Sequence, residues 1–326
     1  MNVFLGQSAF AVAAVMVSCA FGLAVPMAGA QTYPERPITL MIPVPAGGTM
    51  DTQARALAAS VSKQLSQPVV LVSRPGAGAT MPAIVMAQST QPDGYTLGVV
   101  STNIYRLPHL QTVGFDPMKD FTYIANVTAQ PFGITVRQDS PWKTLNDVLV
   151  YARAHPGEVS YGASAAGSTM QINMERIAKA AGVKFNFIPF KGIAETYTAV
   201  SGGHIDLAVD TGFNTTIESG RGRLIAMLSD QRAKKYPAVP TVKELGFDAI
   251  ASGGWGIAGP RHMDPKIVGI LSEAFRKAMS DPVFLQSIEL QDQTVTYMDP
   301  KTYTEWATSR FNEEKRALAE IGLKLQ

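Results

Sequence analysis

Hydrophobic residues in this chain fall into short continuous runs and helically spaced stripes that alternate. The run at 38–42 reads as a strand, and Ala54, Leu57, Ala58, Val61 and Leu65 then recur at the spacing of a helix over 53–65. Gln67-Pro68 stops that helix. Strands at 69–72 and 95–100 follow, with a helix from Thr80 through Ala87 between them. Residues 104–120 carry no period and read as irregular, with a turn at Asp116-Pro117. Strands at 123–127 and 133–136 lead to a helix at 144–154, stopped by His155-Pro156-Gly157. A strand at 159–161, a helix at 170–181, a strand at 185–188, a helix through Val200 and a strand at 205–209 repeat the alternation. Strands at 224–228 and 255–258 follow, then a stripe of Ile267, Ile270, Leu271, Ala274 and Ala278, a helix started by Asp281-Pro282, and a long helix opened by Pro300. Alternating strands and helices predict an α/β architecture with largely parallel strands.

The pattern is weakest at Gln130-Pro131 and at Ser252-Gly253-Gly254. These breaks divide the chain into residues 31–131, 132–252 and 253–326. The first 30 residues hold no Asp, Glu, Lys or Arg, are apolar over 9–25, and end in Ala28-Gly29-Ala30. That composition reads as a signal peptide without a basic start; the alternative, a membrane anchor, is disfavoured by the short run and its Gly and Pro. The single cysteine, Cys19, lies in this segment, and Met16-Val17-Ser18-Cys19 is a poor lipidation pattern. Cleavage after Ala30 leaves no thiol for disulfide, metal or nucleophilic chemistry. The 28 basic and 26 acidic residues nearly balance, which argues against a nucleic-acid partner.

Candidate chemistry concentrates in two bends. Residues 43–51, Pro-Val-Pro-Ala-Gly-Gly-Thr-Met-Asp, join a strand to a helix. Gly47 and Gly48 let the backbone turn and approach a ligand, and Thr49 or Asp51 is placed to cap the helix. The second bend, at 162–169, is equally small and adds hydroxyls at Ser164, Ser168 and Thr169. Helix N-termini carry unpaired N–H groups and about half a positive charge. Two such ends, with no fixed cationic side chain, suit a small carboxylate. The plainer readings are an ordinary turn at the first bend and a simple N-cap at Ser168.

Other constellations are weaker. Neither bend holds Gly-Lys-Ser/Thr or Gly-x-Gly-x-x-Gly, so neither is a nucleotide loop. Ser164 sits in Gly-x-Ser-x-x-Gly, one residue longer than a hydrolase nucleophile elbow. A secreted hydrolase using the bend as an oxyanion hole is the alternative from another class. His109, His155, His204 and His262 lack ligand spacing, so no metal site is expected. Asp210, at a strand end, is read either as an acceptor for a ligand amine or water, or as a cap on the next helix. Asp206 is read as satisfying a turn. Arg74 adds charge to a cleft or faces solvent, and Trp255 lines a cleft or fills the core.

Several short motifs occur in a fixed order: Pro45-Ala46-Gly47-Gly48-x-x-Asp51, Arg74-Pro75-Gly76-Ala77-Gly78, Pro92-Asp93-Gly94-Tyr95-Thr96, Asp116-Pro117-x-Lys119-Asp120-Phe121, Pro189-Phe190-Lys191-Gly192, Gly202-Gly203-x-Ile205-Asp206 and Val239-Pro240-Thr241. From about Tyr33 to the C-terminus the chain resembles the Bug-type extracytoplasmic solute receptors of tripartite tricarboxylate transport systems. The resemblance implies a periplasmic-binding-protein fold: two α/β domains, two hinge crossings, a ligand cleft between them, and a C-terminal segment returning to the first domain. It implies a periplasmic, monomeric, non-enzymatic receptor without cofactor, whose partners are a small mono- or dicarboxylate and membrane permease subunits. A ligand sensor for a membrane kinase is the variant that the sequence does not separate from transport. The family's carboxylate grip, partly through ordered water, maps to Ala46, Gly47 and Gly48 on one side and to Ser164, Gly167, Ser168 and Thr169 on the other. Asp210 matches a position near the ligand's far end. Two departures bear on the ligand: Val44 stands where an aromatic residue is common, and Gln171 stands where a His is usual.

Overall fold

Strand β1 (Ile38–Ile42) is buried at every position except Thr39, which is half-buried, and it feeds helix α1 (Thr49–Leu65). Ala54, Leu57, Ala58 and Val61 are all buried on one face of α1. Removing a Leu or Val side chain from water contributes about 1.5–3 kcal/mol, so this stripe fixes the helix on the sheet. The computed structural model describes residues 33–164, 167–229, 231–251, 253–290 and 293–322, without the side chains of Ser89 and Ser164. The expected signal peptide, residues 1–30, lies outside the described residues.

Strand β2 (Val69–Ser73), helix α2 (Met81–Ser89) and strand β3 (Thr96–Ser101) complete two βα units, and both β2 and β3 run parallel to β1. A four-residue helix, α3 (Asn103–Arg106), and a 3₁₀ turn (Leu107–His109) occupy part of the segment expected to be irregular. They are too short to leave a readable period. Strand β4 (Phe121–Ala129) then runs into Gln130 and Pro131, where the chain leaves this sheet.

A second sheet begins with β5 (Gly133–Arg137). Helix α4 (Leu145–Ala154) starts on a capping box in which Thr144 and Asp147 satisfy each other's backbone N–H groups. Strand β6 (Ser160–Ser164), helix α5 (Thr169–Ala181), strand β7 (Asn186–Phe190), helix α6 (Ile193–Ser201) and strand β8 (Leu207–Asp210) follow. A short helix α7 (Asn214–Glu218) and strand β9 (Gly222–Met227) close the sheet, ordered β7-β6-β8-β5-β9. Its core includes Ile134, Val136, Val148, Tyr161, Met174, Ile177 and Leu207.

The chain returns to the first sheet as β10 (Trp255–Pro260). Helices α8 (Pro265–Ala278) and α9 (Pro282–Glu289), strand β11 (Thr294–Met298) and helix α10 (Pro300–Glu320) finish it. The six strands stand in the order β11-β4-β10-β3-β1-β2. The structure is therefore two α/β lobes, with the C-terminal segment back on the first. Gln130 and Gly253 form an antiparallel bridge where the outgoing and returning chains meet.

The expectation of largely parallel strands needs correction. β10 is antiparallel to β3 and β4, β11 to β4, and β5 to β8 and β9; only β1 with β2 and β3, and β6 with β7 and β8, are parallel. β5 and β10 arrive from the other lobe, enter their new sheets from the hinge end and run against their neighbours, a reversal that local periodicity does not encode; β11 instead follows α9 within its own lobe. The stripe on α8 is also shifted from its expected face. Leu271, Ala274 and Ala278 are buried as expected, together with Val268 and Phe275, while Ile270 is 40% exposed.

Candidate functional site

The first bend leaves the carboxyl end of β1 and opens α1. The N-cap is Gly48, and no side chain caps the helix; neither Thr49 nor Asp51 fills that role. Thr49 is already the first helical residue, and Asp51 turns back on the bend. Its Oδ2 accepts from the N–H of Gly47 at 2.9 Å and from Arg55 Nε at 2.9 Å. Arg55, then the Gly47 N–H, holds the Asp51 carboxyl below the usual carboxylate range. Asp51 therefore braces the turn and leaves the next N–H groups of the helix without a side-chain acceptor. Gly47 adopts φ +91°, a left-handed conformation that glycine enters without strain. A Cβ on Gly47 or Gly48 would meet nothing within 4 Å. Ala46 is exposed beside them, and the carbonyl of half-buried Val44 accepts from Ser73 Oγ at 2.6 Å, which ties the bend to the end of β2.

The second bend leaves β6 and opens α5 in the other lobe. Ser168 is its N-cap: the hydroxyl accepts from the N–H of Gln171 at 3.3 Å. Gln171 answers through its side chain, whose Oε1 accepts from the Gly167 N–H at 2.7 Å. Ser-x-x-Gln is capping-box spacing, here with the acceptor reaching one residue further back. Gln171, noted as a departure from the family pattern, therefore supports the bend. Gly167 has φ +70°, and open space lies where its Cβ would be. The side chain of Ser164 lies outside the described residues. Gly162 serves packing instead, since a Cβ there would come within 2.6 Å of the Phe190 ring.

Asp210 ends β8 and is 2% exposed. Its Oδ1 accepts from the Thr211 N–H at 2.8 Å, and its carbonyl accepts from the Tyr197 hydroxyl at 3.1 Å. Burial first, then the charge of Asp210, pushes the Tyr197 phenol well above its usual range. Asp210 does not cap the next helix, whose N-cap is Phe213. Arg74 is exposed, and Trp255 is a core residue whose indole N–H reaches Gln53 Oε1 at 3.4 Å.

A residue absent from the sequence expectations links the first lobe to the second bend. Arg106, on α3, is 8% exposed. Its Nη1 donates to Thr169 Oγ1 at 2.5 Å, and its Nη2 donates to Asn103 Oδ1 at 2.6 Å. Asn103 Nδ2 in turn donates to the Gly78 carbonyl at 2.9 Å, within the Arg-Pro-Gly-Ala-Gly loop. The region therefore does contain a fixed cation, contrary to the expectation of N–H and O–H donors alone. Burial lowers the Arg106 pKa and buried Glu314 opposes the shift; a guanidinium stays charged through such a change. The only local signal for Arg106 is a cation set directly after Ile104 and Tyr105.

A cavity of about 1130 Å³ opens beside the hinge, lined by Thr128, Gln130, Gly253, Trp255, Trp306 and Arg310 among others. Val44, Ala46, Gly47, Gly48, Gly167, Ser168, Thr169 and Asp210 do not line it.

Known proteins resemble this chain in sequence and fold. A family model described as tripartite tricarboxylate transporter family receptor, TctC, matches residues 53–323. The UPF0065 protein in gbd 5'region of Cupriavidus necator is 40% identical over 309 residues, covering 94% of each chain. A TctC solute binding protein from Polaromonas, solved without ligand, is 29% identical with a TM-score of 0.79, over 89% of this chain and 100% of that one. The R. palustris protein Rpa4515, solved with adipate, is 25% identical with a TM-score of 0.75, over 90% of this chain and 100% of that one.

Proposed function

The chain belongs to the tripartite tricarboxylate transporter receptor family, and from that membership we propose that it captures a small mono- or dicarboxylate in the periplasm and delivers it to the permease subunits of a tripartite transporter. Its two lobes are residues 31–131 with 253–326 and residues 132–252. The observation that carries the reading is a pair of helix N-termini, α1 and α5, one from each lobe, each entered through a bend of small residues. In open α/β sheets the carboxyl ends of parallel strands are where ligands bind. Backbone N–H groups there replace the hydration of an anion without a mobile side chain.

In this reading Val44, Ala46, Gly47 and Gly48 form one jaw and Ser164, Gly167, Ser168 and Thr169 the other. Asp210 approaches the far end of the ligand. The open space at Gly47, Gly48 and Gly167 supports close backbone approach. Adipate in the R. palustris relative supports a carboxylate as the ligand class. The protein acts as a monomer and releases its ligand unchanged. Closure follows from tighter binding to the closed form than to the open one.

A thermal-shift titration of the purified protein against aliphatic and aromatic carboxylates tests the reading. A ligand at one hundred times its Kd stabilises the fold by about 2.7 kcal/mol, which raises the melting temperature. A panel that produces no shift sinks the carboxylate assignment. Turnover of an ester panel, abolished by Ser164→Ala, would replace the receptor with a hydrolase.

A further inference from the structure

Arg106 stands apart from the jaw residues because it crosses between lobes. It projects from α3, after the last parallel strand of the first lobe, and ends on Thr169, the first residue of α5 in the second. A hydroxyl has one proton to give. Thr169 Oγ1 accepts from the guanidinium, so its own proton is directed elsewhere. As the first helical residue, Thr169 has no earlier helical carbonyl to receive it.

The polar groups around this contact are only partly satisfied, and they lie beside an apolar contact of Ile172 on α5 with Ala317 and Leu318 on α10. Arg106 Nε and Asn173 Oδ1 are buried and lack a hydrogen-bond partner among the described residues. A void of about 10 Å³ lies in the same seam, lined by polar residues that include Thr169, Asn173 and Glu314 and by apolar Ile172, Ile250 and Ala317. That is about the space of one water with polar partners. The polar bonds of this seam can be exchanged for water when the lobes part.

We propose that Arg106 is a positioning residue of the ligand site: it holds the Thr169 hydroxyl as a donor toward a bound carboxylate and joins the lobes when the site closes. The role assigned to Thr169 rests on the carboxylate reading above. The joining of the lobes is carried by the Arg106–Thr169 contact itself. Asn103, itself held on the Gly78 carbonyl, fixes the guanidinium from behind, so the geometry of the 74–78 loop reaches the second jaw through two side chains, Asn103 and Arg106.

Two measurements test it, with adipate as the probe. Calorimetry on the full-length protein should give at least a ten-fold weaker Kd for Arg106→Met and for Thr169→Val. Arg106→Lys should recover part of the loss, because a point charge replaces the planar fork. The double variant should lose no more than the worse single variant, as expected for two residues acting through one contact. The second measurement is an electron-spin distance between labels on Val70→Cys and Val150→Cys, exposed positions on the two lobes, in a Cys19→Ser background. Without ligand, Arg106→Met and Thr169→Val should each widen the distribution toward longer separations, and the pair should widen it no further.

An adipate Kd within two-fold of wild type for Arg106→Met overturns the proposal. So do distance distributions that superimpose on wild type, or a loss of thermal stability with neither effect, which would make Arg106 a packing residue. If wild type ignores adipate and every other carboxylate, the ligand reading fails alone, and the distance measurement still decides whether Arg106 joins the lobes.

Discussion

Arg176 on α5 lies 3.0 Å from Glu313 on α10, so a helix of the second lobe is tied by charge to the C-terminal helix of the first. The same guanidinium meets Glu320 at 2.7 Å, and Lys179 donates to the Glu320 carbonyl at 2.7 Å. The Arg176 side chain is only 9% exposed, whereas Glu320 is 47% exposed, so the network is neither a dry core pair nor a free surface pair. Arg176→Met keeps the methylene packing and removes the charge that faces Glu313. The expected cost is about 1–2 kcal/mol, between the ranges of exposed and buried pairs. The loss should shrink at high salt, where the wild-type pair is screened. Urea unfolding at two ionic strengths measures both; coincident wild-type and variant midpoints would remove the network from the stability of the fold.

Gly254 marks the returning hinge strand as a position that only glycine fits. Its φ is +132°, and a Cβ there would lie 2.0 Å from the Thr128 carbonyl oxygen. The neighbouring atom is backbone in β4, so no side chain can swing away. Gly254→Ala should therefore destabilise by about 2–4 kcal/mol, combining strain with displacement of the strand. Gly269, where a Cβ meets nothing within 4 Å, is the control, and alanine there should gain helix propensity. Equal denaturation midpoints for the two variants would contradict the clash.

The contrast between Gly254 and Arg106 marks what the sequence could and could not reveal. Gly253-Gly254 stood out as a break in the hydrophobic pattern, and the chain does change sheets between β9 and β10. The α1 stripe was legible because burying one face requires a repeat of three and four residues, and all but Leu65 of the expected positions are buried. β11 was missed because its half-buried edge sequence, Thr-Val-Thr-Tyr-Met, has no apolar run, although Asp299-Pro300 punctuates its end. The helices α3 and α7 span less than two turns and leave no period. The two bends were visible as glycine and hydroxyl clusters. Arg106 was not, since its partner Thr169 is 63 residues away and no local rule couples them.

Asp51 offers a pH test confined to the first bend. Its carboxyl is held below the ordinary range by Arg55 and by the Gly47 N–H. A carboxylate with a lowered folded-state pKa stabilises the fold above its unfolded pKa, about 3.9. That contribution fades as pH falls through the lower folded value. Asp51→Asn should therefore be less stable than wild type at pH 7, and the gap should close only below about pH 4. Chemical denaturation at a series of pH values gives the gap directly. A gap that widens on acidification would mean that the stabilising partner of the bend is not the ionised Asp51.

Ser168 separates two roles that one hydroxyl is asked to fill. As an N-cap it accepts from the Gln171 N–H, and replacing it with alanine should lower stability by about 1 kcal/mol. As a ligand donor it gives its own proton to a carboxylate, and Ser168→Ala should also weaken binding by about 0.5–1.5 kcal/mol. Ser168→Asp separates the two. Aspartate caps a helix as well as serine does and adds a charge favourable to the N-terminus, so the fold should keep its melting temperature. The same charge faces the position of the bound anion and has no proton to donate, so carboxylate affinity should fall well beyond the alanine variant. Calorimetry and thermal unfolding on the two variants give the four values needed. If Ser168→Asp binds carboxylate as tightly as Ser168→Ala, the anion does not sit at the N-terminus of α5, and the second jaw must lie elsewhere.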